Sequence, residues 1–147
     1  MNFNSQKSTT KEQSEMLLKL GLKKETADMS YNYQRTSGDY ELSVNAYADI
    51  LSLKDRMNNR KVLGMGWDEL WGNDLPAWSL HRLIEMMPRT INHNGNDLWL
   101  TIHGSDVFYT DWKEHTPLAR TLSLYEHIVW YIEWLIKEGY FPKEYLV

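Results

Sequence analysis

The sequence predicts an α+β fold: a small antiparallel sheet of three to five strands packed by two to three helices, in a single domain over residues 10–147. Three observations carry that expectation. Segments near 10–22 and 123–139 have helical apolar spacing with capping residues at both ends. Segments near 29–46 and 98–109 alternate in and out about turn-forming residues. A chain of 147 residues buries enough surface for one core without a metal or disulfide.

Residues 1–9 are polar and patternless and read as a disordered tail. The first helix follows. Thr10 and Gln13 have capping-box spacing, in which each side chain satisfies the other residue's exposed backbone donor. Met16, Leu17 and Leu20 share one face, Gly21 suits the left-handed closing position, and Leu22 can fold back on the last turn. Met29, Tyr31 and Tyr33 then alternate as in a strand. "RTSGDY" has turn chemistry, and Tyr40, Leu42, Val44 and Ala46 alternate again, which predicts a hairpin. Residues 48–63 fit a short helix or a strand followed by a loop. "GMGWDELWGNDLP" reads as a loop, with one helical turn at Asp68 to Trp71.

In "LPAWSLHRLIEMMP", Ser79 is a suitable N-cap. Leu80, Leu83, Ile84 and Met87 form one apolar stripe, and Pro88 ends the helix. His81, Arg82 and Glu85 fall off the stripe. Arg82 and Glu85 can pair on the solvent side, and His81 reads as a solubilising surface residue. "NHNGND" is a turn. A second hairpin follows, with Leu98, Leu100 and Ile102 opposite in face to Trp99, Thr101 and His103, a connection at Gly104-Ser105, and Val107 and Tyr109 alternating with Phe108 in the return strand. "KEHTPLART" is a loop. The last helix opens on a second capping box, Ser123 with Glu126. It carries the stripe Tyr125, Ile128, Val129, Ile132, Leu135 and Ile136, and Gly139 closes it. Trp130, Tyr131 and Trp134 widen its apolar surface, so the helix is either buried on two sides or presents aromatics to a partner.

Composition narrows the chemistry. The absence of cysteine excludes disulfides, thiolate catalysis and zinc–thiolate sites, and fits a reducing compartment. No signal-peptide pattern or membrane-length apolar run is present, so the expected location is a cytoplasm. A formal net charge of −4, with charges mixed along the chain, speaks against nucleic acid as partner. Seven Trp and nine Tyr against three Phe suit either core filling or an interface.

No phosphate loop, dinucleotide fingerprint or nucleophile elbow occurs, and no catalytic residue is assigned. The paired carboxylates Asp68/Glu69 and Asp111/Glu114 sit in polar loops, where acid–base roles do not follow. One alternative is a small metal-dependent enzyme. His93, His103, Asp106 and His115 lie in one segment, and hairpin pairing would make His103 and Asp106 neighbours. A second alternative is single-stranded nucleic-acid binding by stacking on Trp99, Phe108 and Tyr109, though basic residues are not interleaved there.

The blocks "LGLKKETADM", "LPAWSLHRLIEMMP" and "WLIKEGYFPKEYL" together resemble small uncharacterised proteins encoded in phages, prophages and mobile elements of gut-associated bacteria. The matching residues are Thr26 to Met29, Pro76 to Leu80 with Leu83, Met87 and Pro88, and Trp134 to Leu146. This chain is longer at 48–63, which reads as an insertion. The resemblance implies a bacterial host cytoplasm and an accessory gene. It supplies no reaction, cofactor or binding residue. The expected function is therefore non-enzymatic: binding of another protein, with Trp130, Tyr131 and Trp134 as the candidate surface, no cofactor and no membrane, and self-association left open.

Overall fold

The computed structural model describes residues 5–34, 36–60, 64, 74–119 and 122–147. It is an α+β fold with four α-helices and two antiparallel three-stranded sheets, β2-β1-β3 and β4-β5-β6, among the described residues. The expected single sheet is thus two. The strands that make the difference are short, Leu75–Ala77 and Thr90–His93, and neither is long enough to show a period of two in sequence. The chain divides into two compact units, Met1–Arg82 and Leu83–Val147.

In the first unit, α1 (Lys11–Lys19) is closed at both ends as its sequence predicts. The Thr10–Gln13 capping box is formed in both directions. At the far end, Leu22 N–H donates to Leu17 O at 3.0 Å and Gly21 N–H to Leu18 O at 3.0 Å, with Gly21 at φ 95°. Glycine takes this left-handed conformation without a Cβ penalty. β1 (Met29–Gln34) and β2 (Asp39–Ser43) form the predicted hairpin, with Tyr31 opposite Leu42 and Tyr33 opposite Tyr40. Val44 lies beyond the strand and is exposed. β3 (Leu75–Ala77) pairs with the other edge of β1. Its Pro76, which has no N–H to give, is tolerated at the margin of a sheet. The undecided segment at 48–63 is helical: α2 spans Tyr47–Arg60, its Tyr47 N–H donating to Ala27 O at 3.1 Å and its Tyr47 hydroxyl to Asp74 O at 3.1 Å. The helical turn expected at 68–71 lies outside the described residues, as do positions 1–4 of the expected tail. Ser8 and Thr9, also read as tail, are buried. Their short hydroxylated side chains find partners inside: Thr9 Oγ1 with Ser14 Oγ at 2.7 Å, and Ser8 Oγ with the Tyr31 hydroxyl at 3.2 Å.

α3 (Leu80–Met86) contains the boundary between the units. His81 is exposed on it, and Leu83, Met86 and Met87 are buried. In the second unit, β4 (Thr90–His93) turns at Asn94-Gly95 into β5 (Asn96–His103). Both turn residues have positive φ, 52° and 84°, the backbone that a two-residue hairpin demands and that Asn-Gly favours. Gly104-Ser105 then leads into β6 (Asp106–Thr110), as predicted. α4 (Leu124–Lys137) packs against β6. It has a complete Ser123–Glu126 capping box and ends as α1 does, with Tyr140 N–H on Leu135 O and Gly139 N–H on Ile136 O. Tyr125, Ile128, Val129, Ile132 and Leu135 of its predicted stripe are buried. So are His127 and Tyr131, which carries the burial well round the helix.

Candidate functional site

Two places in the molecule concentrate polar contacts around a tryptophan. The first is a clasp between residues 26–29 and 76–79, both within the first unit. Trp78 is fully buried, and its indole N–H donates to Thr26 Oγ1 at 3.0 Å. Its main chain exchanges bonds with Thr9: Thr9 N–H to Trp78 O at 2.9 Å, and Trp78 N–H to Thr9 Oγ1 at 3.1 Å. Asp28 accepts from the Ser79 N–H at 2.8 Å and, through its other oxygen, from the Ser79 hydroxyl. Ser79 Oγ in turn accepts from Arg82 N–H at 3.1 Å, the N-cap bond expected of it. The Arg82 Nε–H donates to Thr26 O at 2.9 Å, so this side chain reaches back to the clasp. Every polar atom named here has a structural duty. Ser79 thus acts as the N-cap of the following helix.

The second is the turn after β6. Asp111 Oδ1 accepts from Lys113 N–H at 2.9 Å and Glu114 N–H at 2.8 Å. These bonds stabilise the ionised form and hold the Asp111 carboxyl below the usual carboxylate range. Thr110 Oγ1 donates to Glu114 O at 2.8 Å and accepts from Trp112 N–H at 2.9 Å. Trp112, at the tip, has φ 73° and is 84% exposed. A bulky side chain in the left-handed region is uncommon and costs about 1–3 kcal/mol unless the surroundings impose it. Here five consecutive residues impose it, and the result is an indole held in water.

The turn adjoins the outward face of the second sheet. Directly opposite residues share a face, so the register places Trp99 with Thr110, Thr101 with Phe108, and His103 with Asp106 on that side. Trp99 is 52% exposed. Ile91, Leu98, Val107 and Tyr109 are buried on the opposite face, where Ile102 at the far end is exposed. Tyr109 therefore cannot stack a base alongside Trp99 and Phe108. Its hydroxyl donates to Pro88 O at 2.7 Å, and burial pushes the phenol well above its ordinary range.

The metal alternative requires convergence that the structure does not give. His103 and Asp106 are cross-strand neighbours, as the hairpin implies. His93 Nδ1 instead contacts the Tyr140 hydroxyl at 3.1 Å, and His115 Nδ1 lies 2.9 Å from Thr116 O with its ring beside Phe108. No group of three His, Asp or Glu side chains able to hold a metal ion occurs among the described residues. Asp111 and Glu114 build a turn, and Asp68 and Glu69 lie outside the described residues.

On α4, Tyr131 is fully buried and bonded, its hydroxyl to Pro117 O at 2.7 Å and to Thr116 Oγ1, with burial pushing its phenol up to about 12. It cannot contribute to a surface, because one side of α4 is wholly enclosed. Trp130 and Trp134 are half-buried, with Tyr131 edge-on to both. They border a shallow open depression with Glu133 and Lys137, which pair across one turn at 2.6 Å.

Sequence reasoning missed His127. It is fully buried, and with the proton on Nδ1 it donates to Ser105 O at 3.0 Å while Nε2 accepts from Ala119 N–H at 3.3 Å. Asp106 stands 4.0 Å from Nδ1. His127 ties the β5–β6 connection and the 116–119 segment to α4. The available signal was its place one turn before Tyr131, which marks a second apolar stripe.

No known family model matches the sequence, and no curated protein or solved structure matches the chain. No helix among the described residues is long and apolar enough to cross a membrane.

Proposed function

We propose that this is a non-enzymatic protein-binding module whose contact surface is the outward face of the second sheet and the Trp112 turn. The observation that carries the reading is Trp112 itself. An indole placed in solvent on an unfavourable backbone, in a turn whose Thr110 hydroxyl accepts its N–H, contributes nothing to the core. Trp side chains are among the anchors that dominate protein interfaces. Trp99, with Phe108 half-buried on the same face, extends the apolar surface beyond a single residue. The expected candidate surface on α4 is weaker, with Tyr131 in the core and both tryptophans half covered.

The resemblance of the three sequence blocks supports a context for that binding: an accessory protein of a phage or mobile element acting in a bacterial cytoplasm. Single-stranded nucleic acid is disfavoured as the partner because Asp97 and Asp106 share the aromatic face.

The test is affinity capture from bacterial lysate with wild type, Trp99→Ala/Trp112→Ala and Trp130→Ala/Trp134→Ala, each shown to be folded by circular dichroism. A partner lost with the first pair and kept with the second is the expected result. A folded Trp99→Ala/Trp112→Ala variant that retains every partner of the wild type would falsify the assignment.

A further inference from the structure

We infer that the occupant of this face is an extended, basic segment of a partner protein, its arginine side chains lying over Trp99 and Trp112. The inference rests on the protein-binding reading above and names the chemistry of the partner.

The face has one sign of charge. On the outward positions of β4, β5 and β6 stand Thr90, Asn92, Asp97, Trp99, Thr101 and His103, then Asp106 and Phe108, with buried Thr110 at the end of β6. None is Lys or Arg, and two are carboxylates: Asp97, which is exposed, and Asp106, which is half-exposed and stands 4.0 Å from Nδ1 of buried His127. The adjoining turn adds Asp111 and Glu114 against Lys113. The N–H groups that bond Asp111 hold its carboxyl below the usual carboxylate range, so the turn places a carboxylate next to Trp112. Thr110 connects the two parts: it stands opposite Trp99 and its hydroxyl accepts the Trp112 N–H. Two exposed indoles among carboxylates make the environment in which a guanidinium does best. Its flat face stacks on the ring, where the quadrupole attracts a cation, and its N–H fork reaches a neighbouring carboxylate.

Spacing agrees with an extended ligand. Asp97, Trp99, Thr101 and His103 recur at every second residue of β5, roughly 7 Å apart. A peptide lying along the strand places its own alternate side chains at the same interval. Other occupants fit worse. A phosphate backbone would meet these carboxylates with like charge. A second copy of the chain docking by the same face would set the carboxylates of the two copies together.

The experiment is fluorescence anisotropy of a labelled ten-residue peptide alternating Arg and Ser, with Glu–Ser and Gln–Ser peptides of equal length as controls. The Arg peptide alone should bind, and more weakly as salt rises. Trp99→Ala/Trp112→Ala should weaken it about tenfold, two exposed cation–π contacts each contributing about two- to fivefold. Asp97→Asn/Asp106→Asn should weaken it about fivefold and flatten the salt dependence. Glu15→Gln/Glu138→Gln, which removes the same charge from exposed sites elsewhere, should leave affinity within twofold. Equal binding of the three peptides, no binding of the Arg peptide, or equal loss in both charge variants would overturn the inference. So would a partner captured through Trp99 and Trp112 whose contacting segment is neutral or acidic, or dimerisation of the wild type abolished by the same pair. Those two results leave the protein-binding reading standing, whereas a capture experiment indifferent to Trp99 and Trp112 removes both.

Discussion

The clasp around Trp78 and the turn beneath Trp112 are built from the same materials and do opposite things. Each sets one tryptophan among a threonine hydroxyl or two, an aspartate and main-chain N–H groups. At the clasp the aspartate binds across fifty-one positions of sequence, Asp28 to Ser79, and the ring goes inside. At the turn the aspartate binds residues two and three positions on, and the ring stays outside. Long-range polar contacts close a core, because they must hold two distant segments together against chain entropy. Local ones fix a direction. The comparison separates a tryptophan that makes the fold from one that the fold displays.

The largest effect should come from breaking the first tryptophan. Trp78→Ala removes a fully buried indole and leaves Thr26 without its donor, and should cost about 3–5 kcal/mol in urea unfolding. A loss below about 1 kcal/mol would mean that the clasp is not the centre of its unit. Next, Asp28→Ala leaves the Ser79 N–H without its acceptor in a part-buried site and should cost about 1–3 kcal/mol. In a double-mutant cycle with Ser79→Ala, the two should couple by about 1 kcal/mol or more; additivity would mean that each residue acts alone.

The turn should respond differently. Trp112→Gly removes an exposed side chain and relieves the left-handed backbone, so stability should hold or rise, by up to about 1 kcal/mol. A loss of more than that would show Trp112 packing against something. The smallest effect is local and acid-dependent. Asp111 has its carboxyl lowered by folding, so the contribution of its bonds is complete above the ordinary carboxylate range and is lost as pH falls through the lowered value. Amide exchange at Lys113 and Glu114 should accelerate below about pH 4, the ordinary aspartate range. The acceleration should be absent in Asp111→Asn; equal acid sensitivity in that variant would detach the turn from this carboxylate.

What could be read from the chain follows the range of the interactions. Both capping boxes and both glycine closures were legible because their partners lie within six residues. Alternation put Trp99 on the face opposite Leu98 correctly, since a strand's period needs no tertiary knowledge. α2 was undecided because its mixed sequence satisfies two patterns. The clasp was visible only as two unconnected blocks, and His127 not at all, because burial around most of α4 depends on what surrounds the helix. Trp112 escaped for a different reason: no residue type encodes a positive φ for tryptophan, which only the completed turn enforces.

Thr116 gives one more consequence. Its N–H donates to Tyr109 O and its hydroxyl accepts the Tyr109 N–H, both at 2.9 Å, so the chain after the turn runs along the outer margin of β6. A strand offered from another molecule would have to peel that segment away before it could join the sheet there. Templated fibre growth and domain exchange are thereby hindered at the β6 edge.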